Sequence, residues 1–276
     1  MNDYAASISN GAGRDGRHPP VRHARWEKFL DSSCDWNTVS GAPIAWESRA
    51  HRVITIDAAS DPWLRAALPP RDARRRLLKV LSKLPSAVVD TDITLEQFSD
   101  TGFGHKFLGQ DGQATHFMAN KGQPQRGAYA AGIDKVFGPA ERAVQLFNEM
   151  ADDSDLSTRT TSRLDDVSIA LGAAVHAVQD SFSPTHVQRD QRGDIMRIQA
   201  WRDQLGKDHN AGDRSWQDGG GNLTKLGRLC MEATILLLQY FVLRVVNKDA
   251  DAERCRRKLM KVYLHPADPS RSGWSP

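Results

Sequence analysis

The 276-residue chain is 39% apolar and 26% charged, the balance of a soluble globular protein, and its length is within what one large core can serve, so one main domain is expected. A formal charge of +3 is small for this length, and the basic residues do not interleave with aromatics along any segment, so nothing demands a nucleic-acid partner. Cys34, Cys230 and Cys255 are odd in number and lack CxxC spacing, which implies neither a disulfide framework nor a thiolate zinc site and leaves histidine and carboxylate as the ligands for any metal.

In chain order, the first twenty residues, "MNDYAASISNGAGRDGRHPP", lack the apolar run of a conventional secretory signal. Residues 1–45 as a whole read as a disordered or extended segment, and 46–276 as a helical domain. "VITI" near Val53 suggests a short strand, but strand alternation persists nowhere, and the expected fold class is all-α: a single multi-helix domain with long Gly-rich loops. "PPRDARRRLLKVLSKL" opens with proline and spaces Leu77, Leu78, Leu81 and Leu84 at helical intervals, with Arg and Lys in the other positions. Between Thr91 and Gly127, Gly, Asn, Gln and Asp replace periodicity and predict a long loop of the functional kind. Helical patterning returns at "GPAERAVQLFNEMADD", where Pro139 suits a first turn, at "TSRLDDVSIALGAAVHAVQDSF", and from Leu223, after the glycine gap "DGGGN". The most apolar run, "ATILLLQYFVL", is too short for a bilayer span and reads as the buried helix closing the bundle, so no transmembrane anchoring is expected.

"HAVQDSFSPTH", His176 to His186, stands out because an apolar helix carries a histidine and an aspartate, both costly to bury unless paired or metal-bound. Four residues apart, His176 and Asp180 share one helix face, and Pro184 ends the helix so that His186 folds back. A second pair with the same spacing, His209 and Asp213, follows in "KDHNAGDR", while His116 in "THF" and Asp100 in "QFSDTG" lie upstream. A lone HxxxD is more often a surface pair or a hydrogen-bonded core couple, but two such pairs with three further groups are hard to explain as packing. Imidazole and carboxylate are the ligand set of catalytic zinc. His105 reads as a solvated loop histidine, His18, His23 and His265 as surface, and Phe103, Phe107 and Phe117 as core in preference to a ligand pocket.

The order and spacing of these residues resemble the zinc-dependent phospholipase C and fungal single-strand nuclease superfamily, helical proteins that hold a three-zinc cluster. "HAVQDSFSPTH" looks like its central H-x3-D-x5-H segment, "HNAGD" like its later pair, and "FSDT" with "THF" like its upstream Asp and His. "WESRAH" offers Trp46 and His51 for the family's first element, at a spacing that matches the nuclease branch. The resemblance implies one zinc on Asp100, His116, His176 and Asp180, a second on His186, His209 and Asp213, and a third on Trp46 and His51 with Asp180 shared. It gives Asp100 either a ligand's role or that of the group orienting or deprotonating the attacking water. One departure bears on the third zinc: Trp46 is internal, so its backbone nitrogen is an amide and a poor ligand unless residues 1–45 are removed.

Two or three zinc ions and phosphodiester hydrolysis are therefore expected. The segment's wording is closer to the phospholipase C-like members, which implies a phospholipid substrate at a membrane surface. A single-strand nuclease or nucleotidase is the alternative, with nucleic acid as partner, and a non-catalytic zinc-stabilised helical effector domain is the second. The family implies export, here by a route independent of a conventional signal, with a cytoplasmic enzyme as the other possibility.

Overall fold

The β-branched run Val53-Ile54-Thr55-Ile56 favours a strand by propensity, yet in the computed structural model of the chain it lies within helix α1, Glu47–Ala59. Burial decides the matter. His51, Ile54, Thr55 and Ala58, at positions i, i+3, i+4 and i+7, form one buried stripe that a strand could not gather on a single face. The structure describes residues 47–68, 72–97, 110–150, 158–200, 216–217 and 222–267. All of these belong to the unit Ile44–Pro276, and the expected boundary at 45/46 lies outside them.

After α1 come the short helix α2 (Pro62–Ala66), α3 (Asp72–Gln97), α4 (Gln110–Thr115), α5 (Gln125–Glu149) and α6 (Thr158–Asp180). Two short strands follow, β1 (Val187–Arg189) and β2 (Ile195–Ile198), then α7 (Lys225–Val245) and α8 (Asp249–Lys258), which runs into a π-turn at Leu259–Tyr263. The described residues are thus mostly helical, and the all-α expectation is modified only by one small antiparallel hairpin. The hairpin pairs Val187 with Ile198 and Gln188 with Arg197, with a register shift between Gln188 and Arg189.

Three sequence expectations are corrected. The loop expected over Thr91 to Gly127 is partly helical: α3 runs on to Gln97 and α4 covers Gln110–Thr115, with 98–109 outside the described residues. Pro139 lies inside α5 and not in its first turn. As in α3, which runs through Pro85, the helix continues through the proline and forgoes one backbone bond. In α3, Leu77, Leu81 and Leu84 are buried as the spacing predicts, while Leu78 is 40% exposed, because a stripe of three leucines already fills the contact face.

Helix α6 is the axis of the fold, packed against α3 and α5 along its length and also touching α1, α4 and α7. Its last seven residues, Ala174 to Asp180, are all buried, so the final two turns are surrounded on every side. Helix α7 reaches the length and hydropathy of a bilayer span, but 61% of that stretch is buried inside the fold. Its apolar character is accounted for by its contacts with α1, α5, α6 and α8.

The α3–α6 crossing is set by Gly172, where an added Cβ would lie 2.8 Å from the carbonyl carbon of Ala87 and 2.9 Å from its oxygen. Backbone cannot yield as a flexible side chain does. Gly172→Val should destabilise the protein by about 1–3 kcal/mol in urea unfolding, through forced separation of the two helices. Gly127→Ala, in α5 where only the Gln123 side chain lies near, at 3.7 Å, should leave stability unchanged or raise it by up to about 1 kcal/mol.

Candidate metal centre

The two ends of "HAVQD" meet as helix geometry requires: His176 Nε2 lies 2.9 Å from Asp180 Oδ2. Asp180 is the last residue of α6, and the chain then turns tightly, with Ser183 N donating to Asp180 O and His186 N to Ser183 O. The helix ends four residues before Pro184, so the turn and not the proline returns His186, whose Nδ1 comes to 3.5 Å from Asp180 Oδ2. Arg189 fixes this turn. Its guanidinium donates to the backbone oxygens of Ser181 (3.0 Å), Gly193 (2.6 Å) and Tyr263 (2.7 Å) and lies 4.1 Å over the Phe182 ring. Burial pulls the Arg189 pKa down to about 10, which leaves it charged at neutral pH.

His116 arrives from the turn after α4 through a left-handed residue. Phe117 has φ +51°, a conformation that costs a side-chain-bearing residue about 1–2 kcal/mol. Packing offsets the strain: the ring is fully buried against Gly132, where a Cβ would come within 2.9 Å of it. Ala119 N then donates to Gln199 O, and Gln199 N to His186 O, so the hairpin stitches the segments carrying His116 and His186 together.

The result is a carboxylate with two occupied sides. Asp180 Oδ2 is 2.8 Å from His116 Nδ1 and 2.9 Å from His176 Nε2, and those two nitrogens are 3.1 Å apart. Oδ1 faces His51 Nε2 at 3.2 Å. The His51 ring stacks on His176 at 4.5 Å between centroids, and Trp216 meets it edge-on at 5.0 Å. Burial would push the Asp180 carboxyl up, but His176 and His186 beside it and hydrogen bonds from His116 and His176 outweigh that and hold it well below the usual carboxylate range.

His51, His116, His176, Asp180 and His186, all expected as ligands, are therefore brought together. Trp46, Asp100, His209 and Asp213 lie outside the described residues, as do His18, His23, Phe103, His105, Phe107 and the glycines of "DGGGN". Phe117 is core, as read from sequence, and His265 is at the surface with Nδ1 3.4 Å from Asp194 Oδ1. Asp190 accepts backbone N–H groups of Arg192 and Asp194 in its own turn.

Gln179 and Asp190 are close enough in sequence to be candidate acceptors for a far ring nitrogen, and Gln179 serves as one, whereas Trp216 was not legible as a site residue. Gln179 is fully buried, and its Oε1 accepts from His51 Nδ1 at 2.7 Å. Trp216, also fully buried, donates from Nε1 to Phe182 O at 3.2 Å. The only sequence signal for Gln179 is its place inside "HAVQD", where a polar residue on a buried turn requires a partner.

The donor set suits a metal ion. A buried group of His51, His176 and Asp180 offers ligand atoms within 4.8 Å of one another, and His116 extends it. Bonds of about 2.0–2.1 Å place neighbouring ligands of a tetrahedral zinc roughly 3.3 Å apart. The separations of 2.8, 2.9, 3.1 and 3.2 Å around Asp180 are close to that spacing. His186 donates Nδ1–H to His116 O at 2.8 Å, so in the neutral ring Nε2 carries the lone pair, the arrangement common in metal-binding histidines.

The chain matches no family model, no curated protein and no solved structure.

Trp216→Phe should keep the edge contact with His51 while leaving Phe182 O without its buried donor. The expected cost is about 1–3 kcal/mol, read as a lowered urea midpoint at unchanged slope.

Proposed function

We propose that the chain is a zinc-dependent phosphodiester hydrolase of the phospholipase C type, removing head groups from phospholipids. The observation that carries this reading is the two-sided use of Asp180, with Oδ2 toward His116 and His176 and Oδ1 toward His51. A carboxylate placed in that way can bridge two ions. With Asp100, His116 and His176 would complete one site, and His51 with Trp46 another, while His186 would join His209 and Asp213.

When bound, zinc supplies Lewis-acid polarisation of a phosphoryl oxygen and a water acidified to near neutral pH. The chain's own part is to hold and orient. Asp180 would set the separation of the sites, His51 and His186 keep Nε2 aimed through hydrogen bonds from Nδ1 to Gln179 Oε1 and His116 O, and Asp100 is the residue proposed as base. Phospholipid is favoured over nucleic acid as substrate by the resemblance of "HAVQDSFSPTH" to phospholipase C-like sequences and by the lack of basic residues interleaved with aromatics.

One observation favours a second reading. His51, His116, His176, Asp180 and His186 are at most 4% exposed, as the ligands of closed structural zinc sites also are. A non-catalytic zinc-stabilised domain would keep its metal and leave both phosphatidylcholine and single-stranded DNA intact.

Elemental analysis of protein purified without added metal or affinity histidines should find two or three zincs per chain, with hydrolysis of phosphatidylcholine outrunning that of single-stranded DNA. Asp180→Asn should lose more than one metal and lower turnover on the order of a thousandfold. Zero or one zinc after reconstitution, or an inactive Asp180→Asn that retains full metal, would refute the proposal.

A further inference from the structure

We propose that Gln179 is a positioning residue that fixes which nitrogen of His51 faces Asp180. The geometry stands without the metal reading; only the consequence for zinc affinity rests on it.

The argument starts from two threonines. Thr55 Oγ1 donates to His51 O at 2.8 Å and Thr234 Oγ1 to Cys230 O at 2.9 Å, each bonding the carbonyl four residues back in its own helix. A hydroxyl has one proton, so toward Gln179 both oxygens are acceptors. The Gln179 amide nitrogen supplies both, at 3.0 Å to Thr55 and 3.5 Å to Thr234. The reverse orientation of the amide would require both hydroxyls to abandon their backbone carbonyls. Gln179 Oε1 is thereby turned to His51 Nδ1 at 2.7 Å, and an amide oxygen can only accept.

Nδ1 of His51 therefore carries a proton. In the neutral ring, Nε2 then presents its lone pair 3.2 Å from Asp180 Oδ1. Two electron-rich atoms at that distance need positive charge between or upon them, either a cation or a second proton on the ring, and neither displaces the proton on Nδ1. Thr55 and Thr234 orient Gln179, Gln179 orients His51, and His51 completes the Oδ1 side of the carboxylate. A chain of this kind, outside the ligands, is worth about 10- to 100-fold in metal affinity.

The test is nitrogen NMR of the histidine rings in the metal-free and zinc-loaded native chain, alongside Thr55→Val/Thr234→Val and Thr55→Ser/Thr234→Ser. The native and serine proteins should show a slowly exchanging His51 Nδ1–H in both states. The valine protein, whose Gln179 is free to rotate, should show mixed tautomers and a zinc affinity about 10- to 100-fold weaker, restored by serine. A native His51 protonated on Nε2 alone overturns the proposal. So does a valine variant that keeps a single Nδ1–H and native zinc affinity. If the valine variant does not fold, the native spectrum decides alone. A native chain that binds no zinc but keeps the Nδ1–H would remove the metal reading and leave the assignment of Gln179 standing.

Discussion

An ionised carboxylate held in the middle of a helical core is the constraint around which the described structure is arranged. Asp180 is 1% exposed, and a lone charge in that position would cost several kcal/mol even after relaxation of its surroundings. The fold meets that cost with ring nitrogens from separate stretches of chain: His51 from α1, His116 from the turn after α4, His176 from α6 itself and His186 from the turn beyond it. The same side chains that hydrogen-bond one another, with His116 Nδ1 and His176 Nε2 3.1 Å apart, form a buried group that could hold a metal ion.

The features with no ligating atom are what make the convergence possible. Gly172 lets α3 and α6 approach to backbone contact, and Gly132 makes room for the Phe117 ring, which stabilises the left-handed turn that delivers His116. Arg189 ties Ser181, Gly193 and Tyr263 to one guanidinium and so holds the turn that returns His186. Of the two left-handed non-glycine residues described, Phe117 adjoins His116 and Asn247 follows α7.

Legibility followed range. His176 and Asp180 were readable because four residues on a helix place two side chains together whatever the rest of the fold does. His51 was named from a motif, yet its surroundings suggested a strand, since "VITI" has β-branched propensity and only tertiary burial reveals the stripe His51, Ile54, Thr55, Ala58 as helical. The continuation of α3 to Gln97 was hidden by polar residues that carry no periodicity, and the passage of α5 through Pro139 by the rule that proline opens or ends a helix, which both α3 at Pro85 and α5 override. Gln179 could be named as an acceptor only through its nearness to the histidines, without its partner, and Trp216 was out of reach. Their partners, His51, Thr55, Thr234 and Phe182, are up to 128 residues distant in sequence, and no local pattern encodes such a contact.

Because Asp180 is faced from two sides, any metal bound there would be coupled to folding. An ion that binds the folded cluster and not the unfolded chain stabilises it by mass action, and its loss would return an uncompensated charge to the core. The same coupling limits how the site can act. Side chains buried to this degree are held in place by packing, and any substrate would still have to reach them. Access is thus the physical property separating an enzyme from a metal-stapled bundle: both need the same five side chains in the same places, and only the enzyme needs an ion with a coordination position that the protein leaves to solvent.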